Sequence, residues 1–379
     1  MRHTITHMRI GIDCRLPTYR MGGISQYVIY LIQGLGRLRN DHEFVIGHSH
    51  KEGRLFLPSG TPNFSRNELW TPCHHRYERY LLGLELSFRG FNVYHSPDFI
   101  PPMMRGARRV ITVHDLTFLH FPEFLTAESK RYYAGQIEWA VEVADHIIAD
   151  SEATRSDLIR LLSVPPGKVT SIHLAANPAL AGEFSPESVR QTLKSLDLSP
   201  GFVLAVGTLE PRKNLPMLVR AYERLRRVHS IRVPLVLVGK AGWLYEDLFL
   251  EIQRLGLGEH VIHLPDLQDV QLAHLYRAAG VLAFPSHYEG FGLPALEAMH
   301  GGCPVIASNR GSLPEIVGEA GLLLNPTEVD LWTDTLYRVL FDEEMSSRMS
   351  REGQLQAQKF TWDRTAEATL RVYESLGES

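Results

Sequence analysis

Two carboxylates, Glu289 and Glu297, stand eight positions apart in "HYEGFGLPALE" with no other charge between them. Down one continuous helix that spacing would separate their Cα atoms by about 12 Å, too far for both to act on one atom. The stretch is not one helix, however. Gly290, Gly292 and Pro294 interrupt its start, while Pro294 suits the first turn of a helix through "PALEAM". Glu289 is then expected in a loop and Glu297 within the first turns of the helix. Both flank a helix N-terminus, where N–H groups and the macrodipole attract anions. Carboxylates beside an anion site imply a ligand that also offers hydroxyls, as a sugar does.

Other polar clusters fall at the carboxyl ends of expected strands. After "FVLAVGTL" comes "EPRKN", with Arg212 and Lys213 before a helix that Asn214 can cap. Two adjacent cations there suit a diphosphate, whose charge grows as its bond to carbon breaks, and both are expected outside the core. His114-Asp115 follows "RRVITV", and His95-Ser96-Pro97 follows "NVY". A lone strand-end histidine reads first as a satisfied structural residue. Gly22-Gly23, between the first strand and helix, could form an anion-binding nest, without the G-x-G-x-x-G dinucleotide pattern. "HSH" (48–50) and "CHH" (73–75) lack a second ligand pair at useful spacing, so no metal site is expected. Residues 76–91, "RYERYLLGLELSFRGF", read as an amphipathic helix on its sheet, with an acceptor- or membrane-contacting face as the alternative.

These residues need strands to hold them, and the chain supplies two series. "MRIGIDC", "EFVIGH", "NVYHS", "RRVITVHD", "HIIAD" and "KVTSIHLA" alternate with helical patterns, including 127–145 and "SEATRSDLIRLL" with Ser151 as N-cap. Residues 176–200 are polar and proline-punctuated, and a linker is expected there. "GFVLAVGTL" opens a second series through "PLVLVGK", "VIHLPD", "GVLAFPS", "PVIAS" and "GLLLNP", with helices between. Such alternation implies right-handed crossovers and doubly wound parallel sheets with ligands at the strand C-termini. The expected domains are 1–180 and 200–360, with 361–379 packing back on the first.

At 379 residues, 44% hydrophobic and 22% charged, the chain has the composition of a globular protein with two cores. No run reaches the length of a membrane span and no signal-peptide region opens it, so a frayed start before Met8 and a cytoplasmic location are expected. Three cysteines form no disulfide framework. Residues 1–180 carry 20 Lys+Arg against 17 Asp+Glu, and 51–110 carry nine against five. That excess falls short of a nucleic-acid binder but would suit an anionic acceptor or peripheral contact with a membrane surface.

Together, "EGFGLPALE", "EPRKN", "GGIS" and "VHD" resemble the motifs of the retaining glycosyltransferases of family 4, on the GT-B fold of two Rossmann-like domains facing a cleft. The resemblance covers nearly the whole chain. It implies that Glu289 holds hydroxyls of the transferred sugar and Glu297 the ribose of the nucleotide. Backbone N–H groups from Phe291 through Gly292 to Leu293 would meet the β-phosphate or sugar. Arg212 and Lys213 would neutralise the diphosphate, His114 would contact the sugar from the first domain, and Gly23 would line the phosphate and acceptor side. Because these residues belong to both domains, closure about the linker on donor binding is expected.

"VHDLTFLHFPE" and "SEATRSDL" are similar to bacterial polysaccharide mannosyltransferases, which implies GDP-mannose as donor and a glycan or lipid-linked acceptor. The family shows no clear enzymatic nucleophile. Front-face attack by the acceptor hydroxyl is implied, with double displacement through Glu289 as the alternative and no base role for Asp115. No cofactor and no metal are expected, since Arg212, Lys213 and a helix end supply the charge. The competing readings are a UDP-sugar-dependent glucosyltransferase, a GT-B phosphorylase or sucrose-type synthase, and a nucleotide-sugar-binding module without turnover. The last fits poorly with the presence of Arg212, Lys213, Glu289 and Glu297 together.

Overall fold

The computed structural model describes residues 7–19, 21–125 and 127–377, without the side chains of 127–132 and 134. The fraying expected before Met8 falls almost wholly on residues 1–6, outside the described residues. The chain divides into two compact units. The first comprises Met1–His120, Ala127–Leu174 and Thr361–Ser379; the second comprises Phe121–Thr126 and Ala175–Phe360.

The first unit carries β1 (Arg9–Asp13), β2 (Glu43–Ser49), β3 (Phe64–Leu69), β4 (Val93–Ser96), β5 (Arg108–Val113), β6 (His146–Ala149) and β7 (Val169–Ser171). They form one sheet in the order β3-β2-β1-β4-β5-β6-β7, every pair parallel. Ile10, Ile12, Val93, Ile111 and Ile147 are fully buried, as strands covered on both faces require. The chain leaves β1 in one direction and β4 in the other, so the order reverses between them. At such a point the connections part and leave a crevice beyond the strand C-termini. The terminal helix Trp362–Gly377 belongs to this unit. Asp363 pairs with Arg37 at 2.6 Å, Thr365 Oγ1 donates to the His173 carbonyl at 2.7 Å, and Tyr373 Oη lies 2.6 Å from His95 Nδ1.

The second unit carries β8 (Val203–Val206), β9 (Leu235–Val238), β10 (Val261–Leu264), β11 (Val281–Phe284), β12 (Val305–Ser308) and β13 (Leu322–Leu324). Their order is β10-β9-β8-β11-β12-β13, again all parallel, with the reversal between β8 and β11. Tyr222 and Trp332, fully buried, come from helices Leu215–His229 and Val329–Phe341 and pack into the core with Val203 and Leu237. Each unit is thus a Rossmann-like doubly wound sheet.

Four elements depart from the sequence reading. The expected linker carries helix Pro186–Ser195, which belongs to the second unit; Ser185 caps it, Leu193 is buried, and Thr192 Oγ1 meets His274 Nδ1 at 2.7 Å. Pro186 opens a helical turn here rather than keeping the chain extended. Strand β3, "FSRNEL", has no apolar run: it sits at the sheet edge and carries polar residues on both faces, Arg66 and Glu68 on one and Ser65 and Asn67 on the other. Helices Val329–Phe341 and Glu343–Ala357 were not anticipated. Ser151 does cap its helix, accepting from Thr154 N. Asn214 does not: its backbone is left-handed, and Nδ2 donates to the carbonyls of Pro285 and Pro326 at 3.2 and 2.7 Å.

Candidate functional site

The reversal point of the second sheet gathers the expected cations. Past β8 the chain makes a single 3-10 turn, Pro211–Lys213, that sets Arg212 and Lys213 beside the loop leaving β11. Both converge on Glu289. Arg212 Nη1 donates to Glu289 Oε2 at 2.5 Å and to the Tyr288 carbonyl at 3.0 Å, and Lys213 Nζ donates to Glu289 Oε1 at 2.7 Å. Arg212 Nη2 also holds Glu210 at 2.6 Å, a partner the sequence reading left without a role. The His287 amide donates to the Arg212 carbonyl at 2.8 Å, tying the two loops together.

Lys213 is not the outer cation expected at a strand end. It is 8% exposed, with Nζ 5.0 Å from the centre of the Phe284 ring, because the turn aims its stem into the crevice. Burial, and then Arg212, pull its ammonium below the ordinary lysine value. Burial alone would push the Glu289 carboxyl up, but Arg212 and Lys213 outweigh it and hold the group at about 2. Two cations thus face two carboxylates, and an anion arriving here would compete with Glu210 and Glu289 for their donors.

The loop after β12 fixes the backbone of Glu289. Ser312 N and Oγ donate to its carbonyl at 3.1 and 3.0 Å. Gly311 makes this approach possible at φ 57°, since a Cβ there would lie 2.5 Å from the Glu289 oxygen. Gly292, at φ 96°, precedes helix Leu293–His300, whose first turn takes Pro294 as expected. Phe291 turns its ring into the core, edge-on to Phe360 at 6.0 Å, so a ligand could meet only its backbone.

Glu297 sits apart from the cations. It is 8% exposed and accepts from Tyr276 Oη at 3.0 Å, while burial pushes its carboxyl up to about 8. The two carboxyls are thus driven in opposite directions, Glu289 down by its two cations and Glu297 up by burial. Tyr276 lies on another helix, 21 positions away, and nothing in the sequence announces the pairing.

In the first unit, His114 holds Asp150 through Nδ1 at 2.6 Å and the Pro97 carbonyl through Nε2 at 2.8 Å. A carbonyl only accepts, so Nε2 carries a proton. Burial works against a charged ring, but Asp150 outweighs it and raises His114 to about 9. A sugar hydroxyl would have to take the place of the Pro97 carbonyl. Asp150 ends the expected strand "HIIAD", and that position was its visible signal. His95 is structural: it is fully buried between Tyr373 and Thr112. Asp115 accepts from Thr117 N at 2.9 Å and so caps the short helix Thr117–His120. Gly22-Gly23 does not form a nest, since Gly22 is extended; the pair opens helix Gly23–Arg37 with open space where side chains would be. Among the described residues, no three His, Cys, Asp or Glu side chains group as a metal cage would require.

Comparison with known proteins places the chain as a whole. "Glycosyltransferase Family 4" matches residues 21–180, and "Glycosyl transferases group 1" matches residues 192–356. The O-antigen chain mannosyltransferase B of Escherichia coli is 31% identical over 377 residues, covering 94% of this chain and 97% of that protein. Sucrose-phosphate synthase from Thermosynechococcus elongatus has the same fold, with a TM-score of 0.77 at 22% identity over 98% of this chain and 99% of that one. Anabaena Alr3699/HepE, in complex with UDP and glucose, gives a TM-score of 0.74 at 20% identity over 97% and 100%. A relative matched along nearly its whole length, with both halves matched by glycosyltransferase families, shows that the chain belongs to glycosyltransferase family 4, on the GT-B fold.

Proposed function

We propose that this glycosyltransferase moves mannose from GDP-mannose to a hydroxyl of a glycan or lipid-linked acceptor, with retention of configuration and without a metal. The observation that carries the reading is the Arg212–Lys213–Glu289 cluster at the reversal point of the second sheet. Its cations would take the diphosphate, Glu289 the sugar hydroxyls, and Glu297 with Tyr276 the ribose. The mannose preference rests on the Escherichia coli relative.

In the proposed step the acceptor oxygen attacks the anomeric carbon as the bond to the β-phosphate oxygen breaks on the same face. The acceptor proton passes to the departing diphosphate. Arg212 and Lys213 stabilise the charge that grows there, the kind of interaction that lowers a barrier most. Glu289 has both oxygens committed to cations, which disfavours it as a covalent nucleophile. A thermal-shift panel of GDP-, UDP- and ADP-sugars, followed by turnover with the best binder, tests the donor. GDP-mannose should give the largest shift; a larger one with UDP-glucose would replace the mannose reading by the glucosyl one.

A cytoplasmic, peripheral membrane location is part of the proposal. No described helix is long and apolar enough to cross a membrane. Helix Glu78–Leu86 buries Leu82 and Leu86 but leaves Tyr80, Leu81 and Leu84 exposed. Beside it Trp70 is 70% exposed, and Phe88 is fully exposed at φ 69°. Arg76, Arg89 and Arg105 are exposed nearby in sequence, a composition suited to anionic lipid. Co-sedimentation should require anionic vesicles and weaken with salt; equal partitioning to neutral vesicles, or none to either, would favour a soluble acceptor.

A further inference from the structure

The reversal point of the first sheet also holds a recess, and its chemistry is opposite to that of the second. Asp13 ends β1 and Ser96 ends β4, so the recess opens at the edge where an open parallel sheet accepts ligands. Asp13, Glu78 and Asp98 line it with Ser96, over an apolar floor that includes Val28 and Ile100.

The cation that balances these carboxylates is fully committed to the protein. Arg15 is 1% exposed; Nε and Nη2 donate to Asp13, Nη2 also to Glu78 at 2.7 Å, and Nη1 to the Thr71 carbonyl at 2.6 Å. Asp98 takes the Phe99 amide at 2.7 Å and His74 Nε2 at 2.8 Å. Each carboxylate still has lone pairs for another donor. Ser96 is the group left over: it is 3% exposed, and among the described residues its hydroxyl has no hydrogen-bond partner. A buried hydroxyl without a partner is costly unless a ligand supplies one.

We propose that this recess binds a hydroxyl or hydroxymethyl group of a neutral sugar residue of the acceptor. The cavity measures about 30 Å³, room for such a group but not for a whole pyranose ring. A phosphate would meet three carboxylates and a guanidinium already turned away. A hydroxyl can donate to a carboxylate while pairing with Ser96, and its carbon meets the apolar floor. The recess adjoins His114, because Pro97 lines it and accepts from His114 Nε2. The inference rests on the glycosyl-transfer reading and gives its acceptor a class: a neutral glycan end, with any phosphate or lipid carried elsewhere along the molecule.

Saturation-transfer NMR on the full chain tests it with methyl α-D-mannopyranoside, mannose 6-phosphate and mannosamine, against wild type, Ser96→Val and Asp98→Asn. The neutral pyranoside should bind wild type, and its Kd should rise about tenfold or more in either variant. In turnover the acceptor KM should rise likewise with the donor KM unchanged. Ser96→Val should melt no lower than wild type, since it removes an unpaired buried hydroxyl; if Val does not fold, Ser96→Ala serves. Unchanged pyranoside binding in both variants, or preference for the phosphate or the amine, overturns the inference. So does absence of pyranoside binding in a protein that still shows a nucleotide-sugar thermal shift. Loss of that shift in wild type would instead refute the donor reading.

Discussion

The same sheet topology occurs twice in this chain, and the two reversal points carry opposite side chains. Between β8 and β11 a buried lysine and an arginine converge on a carboxylate held at about 2, and the group is electrically balanced by Glu210. Between β1 and β4 a buried arginine is consumed by Asp13 and Glu78, and a serine remains that is unpaired among the described residues. Topology therefore places each crevice, while residue type sets the charge that a ligand would meet there. A cation at the second point can exchange a carboxylate for an incoming anion; Arg15 at the first, almost wholly enclosed, cannot.

The largest expected effect lies at the second point. Lys213→Ala should lower transfer by roughly 10²-fold or more, the size expected for losing a contact to a developing charge. It should also cost stability, of order 3–5 kcal/mol at most, because Arg212 alone is left to balance buried Glu289. Near-wild-type kcat/KM in Lys213→Ala would remove the diphosphate from this point and with it the contrast. Next, the two glutamates should separate in steady-state kinetics. Glu289→Ala should mainly lower kcat, and Glu297→Ala should mainly raise the donor KM; the reverse pattern would reassign them.

A smaller effect concerns stability against pH. Glu289, depressed from 4.5 to about 2, contributes stability that is present above about 4.5 and lost as pH falls toward 2. His114, raised from 6.5 to about 9, contributes stability that is present below 6.5 and lost as pH rises toward 9. The second unit should thus weaken on the acid side and the first on the alkaline side. Glu297, raised from 4.5 to about 8, adds a loss in between, because the unfolded carboxyl ionises first. Denaturant titrations should show Glu297→Gln flattening the decline between pH 5 and 8, by no more than about 1.4 kcal/mol per pH unit. An unaltered slope in that variant would mean that Glu297 is already ionised. The smallest expected effect is none: exhaustive chelation should leave turnover unchanged, and activity lost to EDTA and restored by Mg²⁺ or Mn²⁺ would show that the cations do not suffice.

How much of this was legible follows from what each feature depends on. "GFVLAVGTL" and "PLVLVGK" read as strands because both faces of a parallel sheet are covered, and apolar runs survive in the sequence. β3 was silent because an edge strand can stay polar, and Pro186 misled because proline opens helices as readily as it breaks them. Arg212, Lys213 and Glu289 stood out as candidates by type and position, and the fold brings them together. Their capture of one another was not legible, since the rotation of a 3-10 turn decides where a lysine stem goes. Tyr276 with Glu297 and Asp98 with His74 come from separate turns of chain that only tertiary packing brings together.

The pairing of His95 with Tyr373 joins residues 278 positions apart. Closing so long a loop adds little to the equilibrium cost, about 0.6 kcal/mol per doubling of length. Its weight falls on timing. During synthesis the first unit lacks its last helix until residues beyond Phe360 have been made, while the second unit by then has every one of its residues. The buried imidazole waits for a phenol made 278 positions later, so the first unit can complete its packing only after all residues of the second have been made.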